Sequence, residues 1–293
     1  MSGETIRIPW LPEGRTVQVP GRGEAFARIH RHADPAAPTL LLLHGWTASG
    51  DLQFFTAYEA LAERYSFVAV DHHGHGRGLR NSTPFSLEAA ADDAAAIVRA
   101  LDVQSVIAVG YSMGGPISML LARRHRDLVA GLVVQATALE WLATVRERAR
   151  WKAVRLVGPI LRSWAYPSWL RMGIRRLLGP AHELLPYVAW LEAETRRGDS
   201  VSIVQAGRAL SGYDARSWAP SLGVPAAAVI TEQDRLVKPR KQRALAAALG
   251  AHVVAVDGDH LVPWERPGSF SEATLAAVDH VSGQVRSPAG LAS

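Results

Sequence analysis

The sequence predicts an α/β fold: a mostly parallel central sheet with flanking helices and one inserted helical segment. Three observations carry this. Six short apolar runs recur, each ended by glycine or polar residues: TLLLLHG (39–45), FVAVDHHG (67–74), VIAVGYS (106–112), LVVQAT (132–137), PAAAVITEQD (225–234) and HVVAVDG (252–258). Runs without polar alternation fit strands buried on both faces, as in a parallel sheet. Helical patterns lie between them, and strand alternating with helix is the mark of an open α/β sheet. Finally, the alternation stops after Thr137 and resumes near Pro225.

Taken in order, RTVQV (15–19) and AFARIHR (25–31), separated by Pro-Gly, predict an N-terminal antiparallel hairpin. Helices are expected over 86–102, 116–125, 239–250 and 265–282. The interval 139–214 is rich in Arg, Leu and Trp and holds five of the nine tryptophans: Trp141, Trp151, Trp164, Trp169 and Trp190. Its apolar residues recur at helical spacing, broken by VGP, AYP and LGP, which predicts several short helices. The expected division is therefore a core of 1–138 and 215–293 with a helical segment of 139–214 inserted in it. The terminal VRSPAGLAS reads as a frayed tail.

Composition narrows the function classes. With 293 residues, 48% apolar and 20% charged, the chain reads as an ordinary globular protein with a full core. It has no cysteine, which excludes disulfides, thiolate metal sites and a Cys nucleophile. The N-terminus lacks an apolar signal region and no run reaches membrane-spanning length, so the expected compartment is the cytoplasm. The formal charge of +5 resides entirely in 139–214, where eleven Arg and one Lys face seven acidic residues. The reading adopted is a solvated helical face. The alternative is contact with an anionic substrate, lipid head group or acidic partner, RMGIRRLLG (171–179) being the local candidate for peripheral membrane contact. Nucleic acid is not expected, since the rest of the chain is neutral and carries no binding module.

The chemistry centres on GYSMGGP (110–116). Ser112 follows a predicted buried strand and opens a predicted helix. A sharp strand-to-helix turn admits only glycine where side chains would clash, at Gly110 and Gly114, and pushes the serine out above the sheet edge. The Met113 backbone N–H then lies at a helix start, where free donors favour an oxyanion. A serine needs a base and an oriented imidazole to act as nucleophile. Among eleven histidines, His260 in GDHLVPWERP follows the last strand, on the same sheet edge as Ser112. Asp234 in TEQDRLVKP follows the preceding strand and is the expected carboxylate partner. Glu232 is its rival and Glu140 a distant substitute. Asp257 and Asp259 adjoin His260 too closely to orient its ring. In LLLLHGWTASG, Gly45 lets the loop approach closely and the Trp46 backbone N–H offers a second oxyanion donor. His44 is expected to be a structural hydrogen-bonding residue.

Two other motifs lead nowhere. GHGRG would need glycine at 79, which is Leu, to make a dinucleotide loop. HHGH lacks the ligands a zinc hydrolase would need at Arg77 and Gly78, so no metal or cofactor is expected; His72, His73 and His75 read as loop packing.

The order Ser112, Asp234, His260, with HGW and GYSMGG, resembles the α/β-hydrolase superfamily. DHHGHGRG (71–78), DRLVKP and GDHLVPWERP resemble further segments of that family, and together the matches span about residues 25–270. Asp259 stands where glycine often precedes the histidine, Lys238 intervenes before Pro239, and Gly78 replaces a usual serine. The resemblance implies that 139–214 is a cap whose Trp and Leu residues shape the pocket. Relatives that open epoxides or remove halides use Asp at the nucleophile position, so Ser112 points to acyl transfer. The expectation is a carboxylesterase or lipase-like enzyme on a small-molecule ester with an apolar acyl part. C–C bond hydrolysis, thioester hydrolysis and cofactor-free perhydrolysis use the same triad and stay open, as does a ligand-sensing protein that keeps the fold. The sequence leaves the oligomeric state open.

Overall fold

The computed structural model describes residues 6–80, 83–141, 147, 151, 159–160 and 166–286. Eight strands form one sheet in the order β1-β2-β4-β3-β5-β6-β7-β8. β1 (Glu13–Val19) and β2 (Gly23–His30) are the predicted hairpin. β2 also runs antiparallel to β4 (Ser66–Val70), and every other pairing is parallel. The centre is β3 (Thr39–Leu43), β5 (Val106–Tyr111) and β6 (Val129–Gln135), with β7 (Ala226–Thr231) and β8 (His252–Val256) completing the far side.

The apolar runs are continuous because both faces are covered. Leu41 and Leu43 of β3 enter one core and Leu40 and Leu42 the other, and all four are fully buried. Burial of each leucine contributes roughly 1.5–3 kcal/mol. The first core lies under α3 (Leu87–Ala100), α4 (Gly114–Arg124) and α8 (Pro239–Leu249). The second lies under α1 (Gly50–Phe54), α2 (Tyr58–Ala62), α9 (Val262–Glu265) and α10 (Pro267–Arg286). Caps mark the helix ends: the Ser86 side chain accepts from Ala89 N, and α8 stops at Gly250 in the left-handed region.

β8 departs from expectation. Its run of Val and Ala reads as doubly buried, but β8 is an edge strand with His252, Val253 and Ala255 exposed. A continuous apolar run cannot report which strand lacks an outer neighbour.

Between β6 and β7 lie α5 (Tyr166–Leu178), α6 (Val188–Thr195) and α7 (Ser200–Ser211). The chain leaves and returns at one point: Glu140 bridges Asp214, and Ala215 N–H donates to Leu139 O at 2.8 Å. The helices are tied back to the strand-end loops. Trp46 Nε1 donates to Ile203 O at 2.7 Å, Asp199 N to Gly74 O at 2.7 Å, and Arg77 pairs with Glu194 at 2.5 Å. Within RMGIRRLLG, Arg171 pairs with Glu192 at 2.7 Å, while Arg175 and Arg176 are exposed near Trp169 and Met172. Trp164 lies outside the described residues. No helix among the described residues is long and apolar enough to cross a membrane.

Candidate active site

Ser112 sits between the end of β5 and the start of α4 with φ +51°, a left-handed conformation that side chains rarely adopt. Its N–H donates to Gln135 O at 2.8 Å, which locks the turn to β6. A Cβ on Gly110 would meet Gly114 O at 2.1 Å, and one on Gly114 would meet Leu43 O at 2.0 Å. The turn closes because both positions lack a side chain.

Ser112 Oγ lies 3.0 Å from His260 Nε2, and His260 Nδ1 lies 2.7 Å from Asp234 Oδ2. These residues come from the ends of β5, β7 and β8, at one edge of the sheet. Asp234 is buried and fully occupied. Its Oδ2 also accepts from Thr231 Oγ1 at 2.9 Å and Gln242 Nε2 at 3.1 Å, and its Oδ1 from the N–H groups of Leu236 and Val237 at 2.8 and 2.7 Å. Such a carboxylate can turn only toward the imidazole, fixing the tautomer that leaves Nε2 free to accept the serine proton.

The rival carboxylates are engaged elsewhere. Glu232 pairs with Arg243, Asp257 with Gln233 and Arg266, and Glu140 with Lys241 at 3.1 Å. Asp259 pins the loop backbone, accepting from Arg235 N at 2.9 Å and His260 N at 2.7 Å.

Ser112 and His260 open on a cavity of about 140 Å3 lined also by Trp46, Thr47, Leu52, Gln53, Thr195 and Trp264, among others, while Asp234 lies buried behind the imidazole. Trp46 and Met113 flank Ser112, and their backbone N–H groups have no protein acceptor among the described residues. Gly45 makes the approach possible: a Cβ there would stand 3.3 Å from Ser112 Cβ.

His44 is fully buried, with both ring nitrogens bonded to backbone groups. Its Nδ1 donates to Gly45 O at 2.7 Å, because its Nε2 must accept from His72 N–H at 3.0 Å. His72 Nε2 in turn donates to His44 O at 3.2 Å, and His75 Nδ1 to His73 O at 3.0 Å. Burial drives the His44 pKa well down and lowers those of His72 and His75 to about 3 and about 4. The three rings are neutral. Among the described residues no cluster of His and acidic side chains could hold a metal.

Several supports carry no motif. Tyr111 OH donates to His260 O at 2.9 Å and holds the histidine loop. Trp264 Nε1 donates to Leu52 O at 2.8 Å and clamps α1 to that loop. Thr231, Gln242 and Gln53 are likewise silent in the sequence.

A mostly parallel eight-stranded sheet, a serine at a strained strand-to-helix turn and a histidine and aspartate from later strand ends define the α/β-hydrolase fold. The profile of the alpha/beta hydrolase fold family matches residues 38–160. A putative carbamate hydrolase, RutD, of Agrobacterium fabrum is 27% identical, over 84% of this chain and 95% of that protein. A pimeloyl-[acyl-carrier protein] methyl ester esterase of Stenotrophomonas maltophilia is 26% identical, over 78% and 87% respectively. An esterase structure from Exiguobacterium antarcticum superposes with a TM-score of 0.75 at 18% identity, covering 94% of this chain and 100% of that one. The chain thus carries the α/β-hydrolase fold, and its residues 38–160 match the profile of that family.

Proposed function

We propose that this protein is a serine hydrolase that cleaves a carboxylic ester through an acyl-enzyme. The observation that carries the reading is the unbroken relay from Asp234 through His260 to Ser112, ending in a cavity. Ser112 Oγ attacks the ester carbonyl as His260 Nε2 takes its proton. Asp234 orients the ring and stabilises the imidazolium. The Trp46 and Met113 N–H groups hold the oxyanion. His260 then protonates the leaving alcohol, and water, activated by the same ring, releases the acid.

Ester cleavage is favoured among the chemistries open to this triad by the methyl ester esterase among the relatives, matched over most of its length. The same site could serve a carbamate, as the name of another relative suggests. The cavity is below the roughly 300–1,000 Å3 of drug-sized ligand sites, and Leu52, Leu261, Pro263 and Trp264 give it apolar walls. Both features favour a short acyl group. We assign the 139–214 segment the role of cap, because α6 supplies Thr195 to the cavity wall and α7 receives the Trp46 ring N–H.

The test is p-nitrophenyl ester turnover and fluorophosphonate labelling of wild type and Ser112→Ala. The reading requires both in the wild type and neither in the variant. A wild type that resists the fluorophosphonate would instead support a ligand-sensing role.

A further inference from the structure

Gln53 is a polar side chain of the cavity to which the triad gives no task. It lies on α1, is 7% exposed, and lines the cavity with Tyr111, Ser112 and His260. Its Oε1 accepts the Gly45 N–H at 3.3 Å. A carboxamide accepts through oxygen and donates through nitrogen, so a backbone N–H partner fixes which way the amide faces. The Nε2 end has no acceptor among the described residues, yet it is not among the polar atoms sealed from solvent. It is a donor turned to the open space of the cavity. Water can meet that N–H while the cavity is open, but an occupant that displaces the water must accept from it or leave it unpaired at a cost of order 1–3 kcal/mol.

Position narrows what that occupant offers. In acyl transfer the leaving oxygen must face His260 Nε2, and the carbonyl oxygen must face the Trp46 and Met113 N–H groups. Gln53 stands on the second side. Its Oε1 and Ser112 Cβ lie 3.2 and 3.3 Å from the point where a Gly45 side chain would begin, so both flank the oxyanion loop. The Nε2 donor therefore meets the acyl part of the substrate. Two bonds hold α1 and the turn after it against α9, just beyond His260: Trp264 Nε1 to Leu52 O at 2.8 Å and Thr56 Oγ1 to Pro263 O at 3.2 Å.

We propose that Gln53 is a specificity-determining residue whose carboxamide N–H donates to a second acceptor oxygen on a short acyl group. The preferred substrates are then esters of small acids bearing an ether, hydroxyl or carbonyl oxygen near the reacting carbonyl. This deepens the ester-hydrolase reading and rests on it.

The test compares p-nitrophenyl methoxyacetate with p-nitrophenyl butyrate, acyl groups of equal length that differ by an ether oxygen in place of one methylene. The ether oxygen raises intrinsic reactivity equally for every variant, so the readout is the methoxyacetate-to-butyrate ratio of kcat/KM. Wild type is compared with Gln53→Leu, which loses both donor and tether, and Gln53→Glu, which keeps an acceptor for Gly45 N–H but loses the amide donor. The ratio is expected to fall about tenfold in both variants, the size of one hydrogen bond. A ratio unchanged in either variant, even with both esters slowed, overturns the inference and leaves Gln53 a tether of the oxyanion loop. Fluorophosphonate labelling of each variant shows whether its site is assembled, and one assembled variant suffices for the decision. A wild type that cleaves neither ester and resists the fluorophosphonate refutes the ester-hydrolase reading itself, and the inference falls with it.

Discussion

His260 and the trio His44, His72 and His75 stand on loops at the carboxyl edge of one sheet, yet their surroundings put them to opposite uses. His260 has a buried carboxylate at 2.7 Å on one ring nitrogen and a hydroxyl at 3.0 Å on the other, beside a cavity. It can take up a proton because a charge waits to balance it. The trio packs ring against ring, with centroids 4.2 Å apart for His44–His72 and 5.4 Å for His44–His75. Both His44 nitrogens, His72 Nε2 and His75 Nδ1 are spent on backbone groups, and His75 Nε2 is buried with no partner among the described residues. A proton on any of them would sit against neighbouring imidazoles in a dry interior. Residue type and sheet edge alone do not make a base; a compensating charge and access do.

The strongest way to break this contrast is to remove the proposed nucleophile or the proposed base. Ser112→Ala and His260→Gln should each lower kcat by roughly 10^4-fold or more in an ester assay, with the urea midpoint nearly unchanged. Retained turnover in either would dissolve the distinction. Asp234→Asn tests the balancing charge and is expected to cost about 10^4-fold by the logic of the triad. A loss under tenfold would show that His260 works without it.

Acid should act on the trio through stability. Their folded pKa values lie below the unfolded value near 6.5, so the stability they contribute is complete above about pH 6.5. It is lost as pH falls toward the folded values of about 4 and about 3 for His75 and His72. Between pH 6.5 and 5 His72 and His75 each cost on the order of 1–2 kcal/mol. Asp71 opposes them. Burial raises it to about 6, so its stabilising protonated form returns as pH falls, recovering of order 1 kcal/mol over that interval. Urea midpoints at pH 7 and pH 5 should therefore differ by a net destabilisation at pH 5, and equal midpoints would contradict neutral buried rings.

His75→Leu sharpens the comparison with a small effect. It should leave kcat/KM within threefold of wild type while flattening the acid dependence of the urea midpoint. A large loss of activity would place His75 in the chemistry.

Much of this was readable from residue order. Continuous Leu and Val runs betray a doubly covered sheet because both faces demand apolar side chains. Ser112, Asp234 and His260 betray themselves by following such runs. Some features left no trace. Helices α1 and α2, within GDLQFFTAYEALAERY, are too short to show a helical period. Tyr111, Gln242 and Gln53 support the site through contacts that exist only once distant strands are side by side: Tyr111 reaches His260 across 149 positions. The exposure of β8 depends on its being last in the sheet, a matter of topology that local sequence does not encode.

The pairing of Leu139 with Ala215 and of Glu140 with Asp214 makes the segment between them behave like a plug in a socket. Its two ends are already joined, so exchanging it for another helical segment with adjacent ends adds little closure entropy and pulls on no strand. The sheet edge with Ser112, Asp234 and His260 can stay constant while the wall facing it is replaced wholesale. A scaffold wired this way can acquire new substrates by trading one module, with its chemistry left untouched.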